Sequence, residues 1–146
     1  FDDVLQRSPG ENLGLQFVPD AHPVPKGFDW PATFRDRVCT LDAAFLNYDR
    51  TRASANVLQT PEGTLWVIDH GACQFLDPAL CQKPFALPPH HCFANDQGVR
   101  LQHAEARALI ASAMAQVAAV PTAWLMATKL SPAVICERLE QRLERI

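Results

Sequence analysis

The chain has 146 residues, 48% of them hydrophobic, which suffices for one domain with a single apolar core. Its formal net charge of -3 gives no basic surface field, so nucleic acid is not an expected partner. There is no run of about 18 apolar residues, and the five cysteines are an odd number without close pairing, so we expect a cytoplasmic protein without membrane insertion.

The first 32 residues are rich in Pro, Gly and Asp and are predicted to be largely loop. Only two short apolar pieces, at residues 13–15 and 17–18, resemble strands. The opening does not read as the start of a self-contained fold. We therefore expect the chain to be a fragment, with this segment as a hinge from a preceding lobe.

A helix and a hairpin are predicted next. Between residues 33 and 48, apolar side chains recur at steps of four, three and four, which predicts one buried helical face ending near Tyr48. Residues 56–59 and 64–68 are apolar or β-branched runs that flank a Thr-Pro-Glu-Gly sequence. Proline and glycine in that order favour a chain reversal, so these runs predict a β-hairpin.

The remaining elements are helices. Residues 76–97 contain four prolines and predict a surface loop with one helical turn near Ala79. Residues 101–120 are alanine-rich with apolar residues at helical spacing, and Pro121 closes the segment. Ser131 followed by Pro132 predicts the start of a terminal helix, because serine caps and proline suits the first helical position.

Five polar side chains stand where predicted elements begin or end. Asp49 and Arg50 follow the first helix, Asn56 stands at the entrance to the hairpin, and Asp69 and His70 come directly after its second strand. Antiparallel pairing would bring Asn56 and Asp69 to the same edge. A carboxylate that orients an attacking hydroxyl, with amide and carboxylate oxygens that bind Mg²⁺, is the set that phosphoryl transfer requires.

The order Asn-x-Asp-Arg, an Asn before an apolar strand, and Ile-Asp-His-Gly resembles the HipA-like kinase family, with a distant similarity to protein and lipid kinase catalytic loops. Residues 119–125, Ala-Val-Pro-Thr-Ala-Trp-Leu, resemble a helix junction of the same family. The similarity covers residues 13 to 145. It implies an α+β, mostly helical domain over residues 1–146, a kinase-like carboxy-terminal lobe without its amino-terminal lobe.

The resemblance implies an ATP- and magnesium-dependent phosphotransferase whose phosphate acceptor is unknown. Asp49 would accept or orient the acceptor hydroxyl, Arg50 would steady phosphate or Asp49, Asn56 and Asp69 would bind metal, and His70 would lie near the nucleotide. Two features depart from the family. Ser54 stands where relatives often have a further Asn, and no glycine-rich loop or strand lysine is present to clamp nucleotide. We therefore expect this lobe to be inactive alone.

Two other functions remain open from the sequence. The missing nucleotide clamp and Ser54 also suit a non-catalytic kinase-fold module that binds a partner. A metal-dependent hydrolase, with Asp49, Asp69 and His70 as ligands that activate water, is the third reading. The His90-His91-Cys92 sequence with Cys81 offers zinc ligands, but it lacks a paired ligand spacing.

Overall fold

The described part of the chain, residues 17–146 of a computed structural model, is an α+β fold of four helices and one small antiparallel sheet. The helices are α1 (Ala32–Phe45), α2 (His103–Gln116), α3 (Thr122–Thr128) and α4 (Pro132–Leu143), and a 3-10 turn, Val117–Ala119, extends α2. The strands are β1 (His22–Pro23), β2 (Val57–Gln59) and β3 (Leu65–Val67), in the order β1-β2-β3. The predicted α+β class is confirmed.

Helix α1 forms where the spacing of apolar residues predicted it, but it ends at Phe45 rather than near Tyr48. Leu46 adopts a left-handed backbone with φ of 55°, and the N–H of Asn47 donates to the carbonyl of Asp42 at 2.9 Å. A left-handed residue followed by such a bond is a common way to terminate a helix. The residues after Phe45 are thereby free to form the loop that carries Asp49.

The predicted hairpin is confirmed, with Val57 opposite Val67 and Gln59 opposite Leu65. Its turn closes through a hydrogen bond from the N–H of Gly63 to the carbonyl of Thr60, at 2.9 Å. Gly63 has a φ of 85°, which explains why glycine follows Pro61-Glu62 at this point. The hairpin therefore fixes which residues flank its open end.

The strand expectations for the first 32 residues were wrong where they can be compared. Residues 17–18 form no strand, and residues 13–15 lie outside the described part of the chain. The edge strand is instead β1, where His22 pairs with Gln59 and Pro23 with Leu58. Proline lacks the N–H for a ladder bond but is tolerated at a sheet edge. The proline content of this segment therefore predicted a loop, although two of its residues form a strand.

The larger hydrophobic cluster lies between α1, α2 and α4, as the predicted helical faces require. Its buried members are Ala44, Ala106, Ile110, Val117, Ile135, Leu139 and Ile146. Helix α4 starts where Ser131 and Pro132 predicted, and the Ser131 hydroxyl accepts a hydrogen bond from the N–H of Val134 at 3.3 Å. The predictions of helices α2 and α4 are thus confirmed in position and in the face that each helix buries.

Arg142 joins α4 to the end of α1. Its guanidinium is fully buried and donates to the carbonyls of Ala43 and Ala44 at 2.8 and 2.9 Å, and to those of Cys81 and Lys83. Cys81 ends the hydrogen-bonded turn at residues 77–81, the turn predicted near Ala79, and Lys83 lies two residues beyond it. One side chain thus holds the terminal helix, the surface loop and the helix before the candidate site together.

A smaller cluster lies beneath the hairpin. Val38, Cys39 and Phe93 are its buried members, and Trp30 and Val67 pack against them. Because α1 carries Val38 and Cys39 and β3 carries Val67, this cluster anchors the hairpin to the first helix. The position of the candidate site relative to the helical part of the fold follows from it.

Within residues 17–146, no single helix is both long and apolar enough to cross a bilayer. The consecutive helices His103–Ala119 and Thr122–Thr128 meet the length and composition criteria only as a pair, and they are bent by 103°.

Candidate functional site

The loop after α1 is built on Asn47. The side-chain amide of Asn47 donates to Asp42 at 3.0 Å, and its carbonyl oxygen accepts from the backbone N–H of Asp49 at 3.1 Å. Asn47 is fully buried, whereas the Asp49 side chain is exposed. The buried amide therefore fixes the backbone at Asp49 and leaves the Asp49 carboxylate facing solvent.

Arg50 lies inside the protein. Its guanidinium is fully buried and makes two hydrogen bonds to Asp42, from Nε to Oδ2 and from Nη2 to Oδ1. Nη1 donates to the carbonyls of Ala55 and Asn56 at 2.7 and 3.0 Å. Arg50 thus supports the loop from below, whereas the sequence predicted a contact with phosphate or with Asp49.

Asp42 is the centre of this buried network. Besides Arg50 and Asn47, it accepts a hydrogen bond from Nε2 of His91 at 2.9 Å. Because Nδ1 of His91 accepts from the N–H of Phe93, the ring proton lies on Nε2 and points at Asp42. Burial alone would raise the pKa of Asp42, but the hydrogen bonds from His91 and Arg50 and the charge of Arg50 outweigh it, so the pKa is lowered.

The carbonyl of Asn56 joins the three segments that carry the candidate residues. It accepts from Arg50, the neighbour of Asp49, and from the backbone N–H of Ile68, the neighbour of Asp69, at 2.9 Å. The N–H of Tyr48 also donates to Ala72, just beyond the hairpin, at 3.4 Å. Asp49, Asn56 and Asp69 are therefore held at one end of the hairpin, as the sequence predicted.

The side chain of Asn56 is incompletely satisfied. Its Oδ1 accepts from the hydroxyl of Ser54, whereas its Nδ2 is buried without a hydrogen-bond partner among the described residues. Exchanging the two amide atoms, which leaves the shape unchanged, would let Nδ2 donate to the Ser54 oxygen. The unpartnered position would then carry an oxygen, the atom type that a Mg²⁺ ion binds.

Asp69 and His70 follow β3 at the surface. Asp69 adopts a left-handed backbone with φ of 56°, and its Oδ1 accepts from the N–H of Gly71 at 3.4 Å. Asn56 has a φ of 50°, so both predicted metal ligands occupy a conformation that few residues other than Asn, Asp and Gly adopt. Partial burial, followed by the charge of Arg50, lowers the pKa of His70 and favours its neutral form.

The ligand sets that the sequence left open are not assembled. Among the described residues, no three His, Cys, Asp or Glu side chains are placed to hold a metal ion together. Nε2 of His90 donates to the carbonyl of Tyr48 at 2.7 Å, His91 pairs with Asp42, and the thiol of Cys81 contacts Gln141. Asp49, Asp69 and His70 thus form no three-ligand site.

Two cavities flank the loop at residues 51–56. One of about 220 Å³ is lined by Ser54, Asn56 and Ile68. The other, of about 530 Å³, is lined by Thr51 and Arg52 on the loop and by residues 24–28 and Trp30 of the segment before α1. The loop therefore borders open space both at its candidate metal ligand and at Thr51 and Arg52.

Sequence reasoning missed Asp42, and it considered His91 only as a zinc ligand, whereas both residues organise the loop. Asp42 carried a signal, because it lies four residues after Val38 on the apolar face of α1, and a buried carboxylate requires partners. His91 carried none, because its contact with Asp42 joins residues 49 positions apart.

Comparisons of this chain with protein-family models, with curated proteins and with solved structures find no match.

Proposed function

We propose that this chain is the carboxy-terminal lobe of a HipA-like kinase, an ATP- and Mg²⁺-dependent phosphotransferase. Asp49 is the acceptor-orienting base, and Asn56 and Asp69 are the metal ligands. Clamping of the nucleotide phosphates, which kinases perform with a glycine-rich loop and a strand lysine, is assigned to an amino-terminal lobe outside these residues. The proposal rests on the order of the motifs and on the geometry of the loop.

In the proposed reaction, a hydroxyl oxygen of the acceptor forms a bond to the γ-phosphorus of ATP. The bond from that phosphorus to the oxygen bridging it to the β-phosphate breaks, and ADP leaves with the electron pair. The proton of the acceptor hydroxyl passes to the carboxylate of Asp49. Asp49 suits this role because its backbone is fixed by Asn47 while its side chain is exposed.

The observation that carries the proposal is the convergence at the carbonyl of Asn56. Arg50 and Ile68 both donate to this oxygen, so the neighbours of Asp49 and Asp69 are tied to the same atom. A simple chain reversal does not require a buried arginine–carboxylate pair beneath it. A loop that holds separate side chains in a fixed arrangement is stabilised by such a pair.

The donor set fits Mg²⁺ that is shared with a nucleotide. Asn56 and Asp69 would hold the metal, which when bound would neutralise charge on the phosphates. Mg²⁺ commonly takes only one or two protein ligands and completes its shell with water and phosphate oxygens. Two oxygen ligands without a third are therefore more consistent with a nucleotide-shared ion than with the hydrolase reading.

The test is calorimetric titration of ATP, with Mg²⁺ and with a chelator, into residues 1–146 and into the protein with its amino-terminal lobe. We expect Mg²⁺-dependent binding by the longer form, and a loss of at least about tenfold in affinity for Asp69→Asn. Asp29→Asn is the matched control, because Asp29 is exposed and makes no ion pair within residues 17–146. Binding that is unaltered by Asp69→Asn contradicts the assigned role.

A second candidate is a non-catalytic module with the same fold. It is favoured by one contact, the hydrogen bond of the Ser54 hydroxyl to Oδ1 of Asn56, which, without an exchange of the two amide atoms, occupies the oxygen that metal would need. Ser54→Ala separates the two readings. A metal site gains or keeps affinity when this competing donor is removed, whereas a module shows no Mg²⁺-dependent nucleotide binding in either variant.

A further inference from the structure

The larger of the two cavities flanking the loop, about 530 Å³ in volume, combines apolar walls with positive charge. Its apolar side is formed by aromatic rings in edge-to-face contact, Phe28 with Trp30 at 4.9 Å and Trp30 with Phe93 at 5.2 Å between centroids. Its positive charges come from Lys26, on the segment after β1, and from Arg52, on the loop that carries Asp49. We call this cavity the aromatic pocket.

The charges of the aromatic pocket are not balanced within it. Lys26 and Arg52 are both exposed, and neither makes an ion pair or hydrogen bond through its side chain in the described part of the chain. The acidic residue in the lining, Asp96, lies 3.6 Å from Arg35 and is compensated there. The pocket therefore attracts an anion, although the whole chain carries a net charge of -3.

The position of the aromatic pocket relates it to the proposed reaction. Thr51 lines it and is two residues from Asp49, and two residues of extended chain span at most about 7 Å. The candidate metal ligand Asn56 lines the other cavity, which shares Ala53 and Ala55 with the aromatic pocket. The two cavities therefore adjoin at this loop, as the acceptor and nucleotide sites of a phosphoryl-transfer centre must, because the attacking oxygen bonds directly to the γ-phosphorus.

We propose that the aromatic pocket binds the phosphate acceptor, and that the acceptor is a small molecule with an anionic group beside a planar or apolar body. This inference rests on the proposed function for the acceptor's role. Lys26 and Arg52 bind the anionic group, and Trp30 and Phe93 contact the apolar body. The acceptor hydroxyl then faces the loop on which Asp49 stands.

The test uses phenyl phosphate as a probe, because it joins an anion to an aromatic ring. Its binding to residues 1–146 is followed by ¹H–¹⁵N NMR at the indole N–H of Trp30. We expect saturable binding that weakens as salt is raised to about 0.15 M, and no saturable binding of benzyl alcohol, which has the ring without the charge. Absence of saturable binding at Trp30 overturns the proposal.

Charge-removing variants assign the contacts. Lys26→Gln with Arg52→Gln should weaken phenyl phosphate binding at least about tenfold, since both charges face the anion. Lys83→Gln with Arg107→Gln is the matched control, because it removes the same charges from exposed side chains outside the pocket. Equal weakening of phenyl phosphate binding in both double variants would mean that the effect comes from net charge alone, and it would overturn the proposal of a specific site.

The acceptor role and the proposed function fail in different ways. Mg²⁺ and ATP should leave phenyl phosphate binding intact, whereas competition would make the pocket part of the nucleotide site and overturn the acceptor assignment. If Asp69→Asn abolishes ATP binding but the Lys26 and Arg52 variant binds phenyl phosphate normally, the pocket proposal alone fails. If phenyl phosphate binding follows Lys26 and Arg52 while no form of the protein binds ATP, the kinase proposal fails and an anion site remains.

Discussion

Asp42→Asn tests whether the buried network supports the candidate loop. The variant keeps the shape of the side chain but removes the charge that Arg50 faces through two hydrogen bonds. Both side chains are fully buried, so the guanidinium would be left without a counter-ion in the interior. Breaking a buried ion pair by removing one partner costs about 3–5 kcal/mol. We expect a loss of this size in the free energy of unfolding.

The assay is urea unfolding followed by tryptophan fluorescence at neutral pH. Asp29→Asn is the control, because it removes an exposed carboxylate with no partner in the described residues and should change stability by less than about 0.5 kcal/mol. A loss below about 1 kcal/mol for Asp42→Asn would refute the network as an energetic support of the loop. A loss of stability in Asp42→Asn that is absent from Asp29→Asn would support the network in this role.

The pH dependence of the same variant provides an independent check. The pKa of Asp42 is lowered in the folded protein, so its contribution is fully present above the unfolded value of about 3.9 and is lost as pH falls through the folded value. Asp42→Asn cannot lose this contribution. The stability difference between the two proteins should therefore shrink below about pH 4, and a constant difference would contradict the ionised state of Asp42.

Two further changes test the scaffold around the site. Arg142→Lys should lower stability by about 2–3 kcal/mol in urea unfolding, because a lysine ammonium cannot bond the four carbonyls that Arg142 reaches, and full retention of stability would contradict this role. Ser131→Ala should lower the melting temperature by about 3 °C through loss of the α4 cap, whereas Ser112→Ala, at an exposed position within α2, should not.

The elements that the sequence predicted correctly are those whose signals are local. Helices α1, α2 and α4 follow from apolar spacing, from alanine content and from the Ser131-Pro132 start, and the hairpin follows from its turn residues. The end of α1 was placed three residues too late, because termination depends on Leu46 adopting a left-handed backbone, which leucine does not signal. Strand β1 was missed because its pairing partner is more than 30 residues away.

The same distinction between local and long-range signals applies to the candidate site. Asp49, Asn56 and Asp69 were identifiable because each stands at the beginning or the end of a predicted element, and hydrogen bonds to the carbonyl of Asn56 then hold the three segments together. The partner of Arg50 was not identifiable, because an Asp-Arg dipeptide suggests its own ion pair. Asp42 competes successfully because it is already desolvated beneath the loop, where a charge gains most from a partner.

The pairing of Arg50 with Asp42 bears on whether the exposed carboxylates of Asp49 and Asp69 have only a structural role. An Asp-Arg pair after a helix is commonly a surface ion pair that serves only the turn. Here the positive charge of Arg50 is directed inward to Asp42, and within residues 17–146 neither Asp49 nor Asp69 makes an ion pair. Two exposed carboxylates without ion pairs near one end of the hairpin leave negative charge that a cation from outside would neutralise. The buried pair thus supports the loop from the interior and, by engaging Arg50, leaves both surface carboxylates unpaired for the metal-bound nucleotide that we propose.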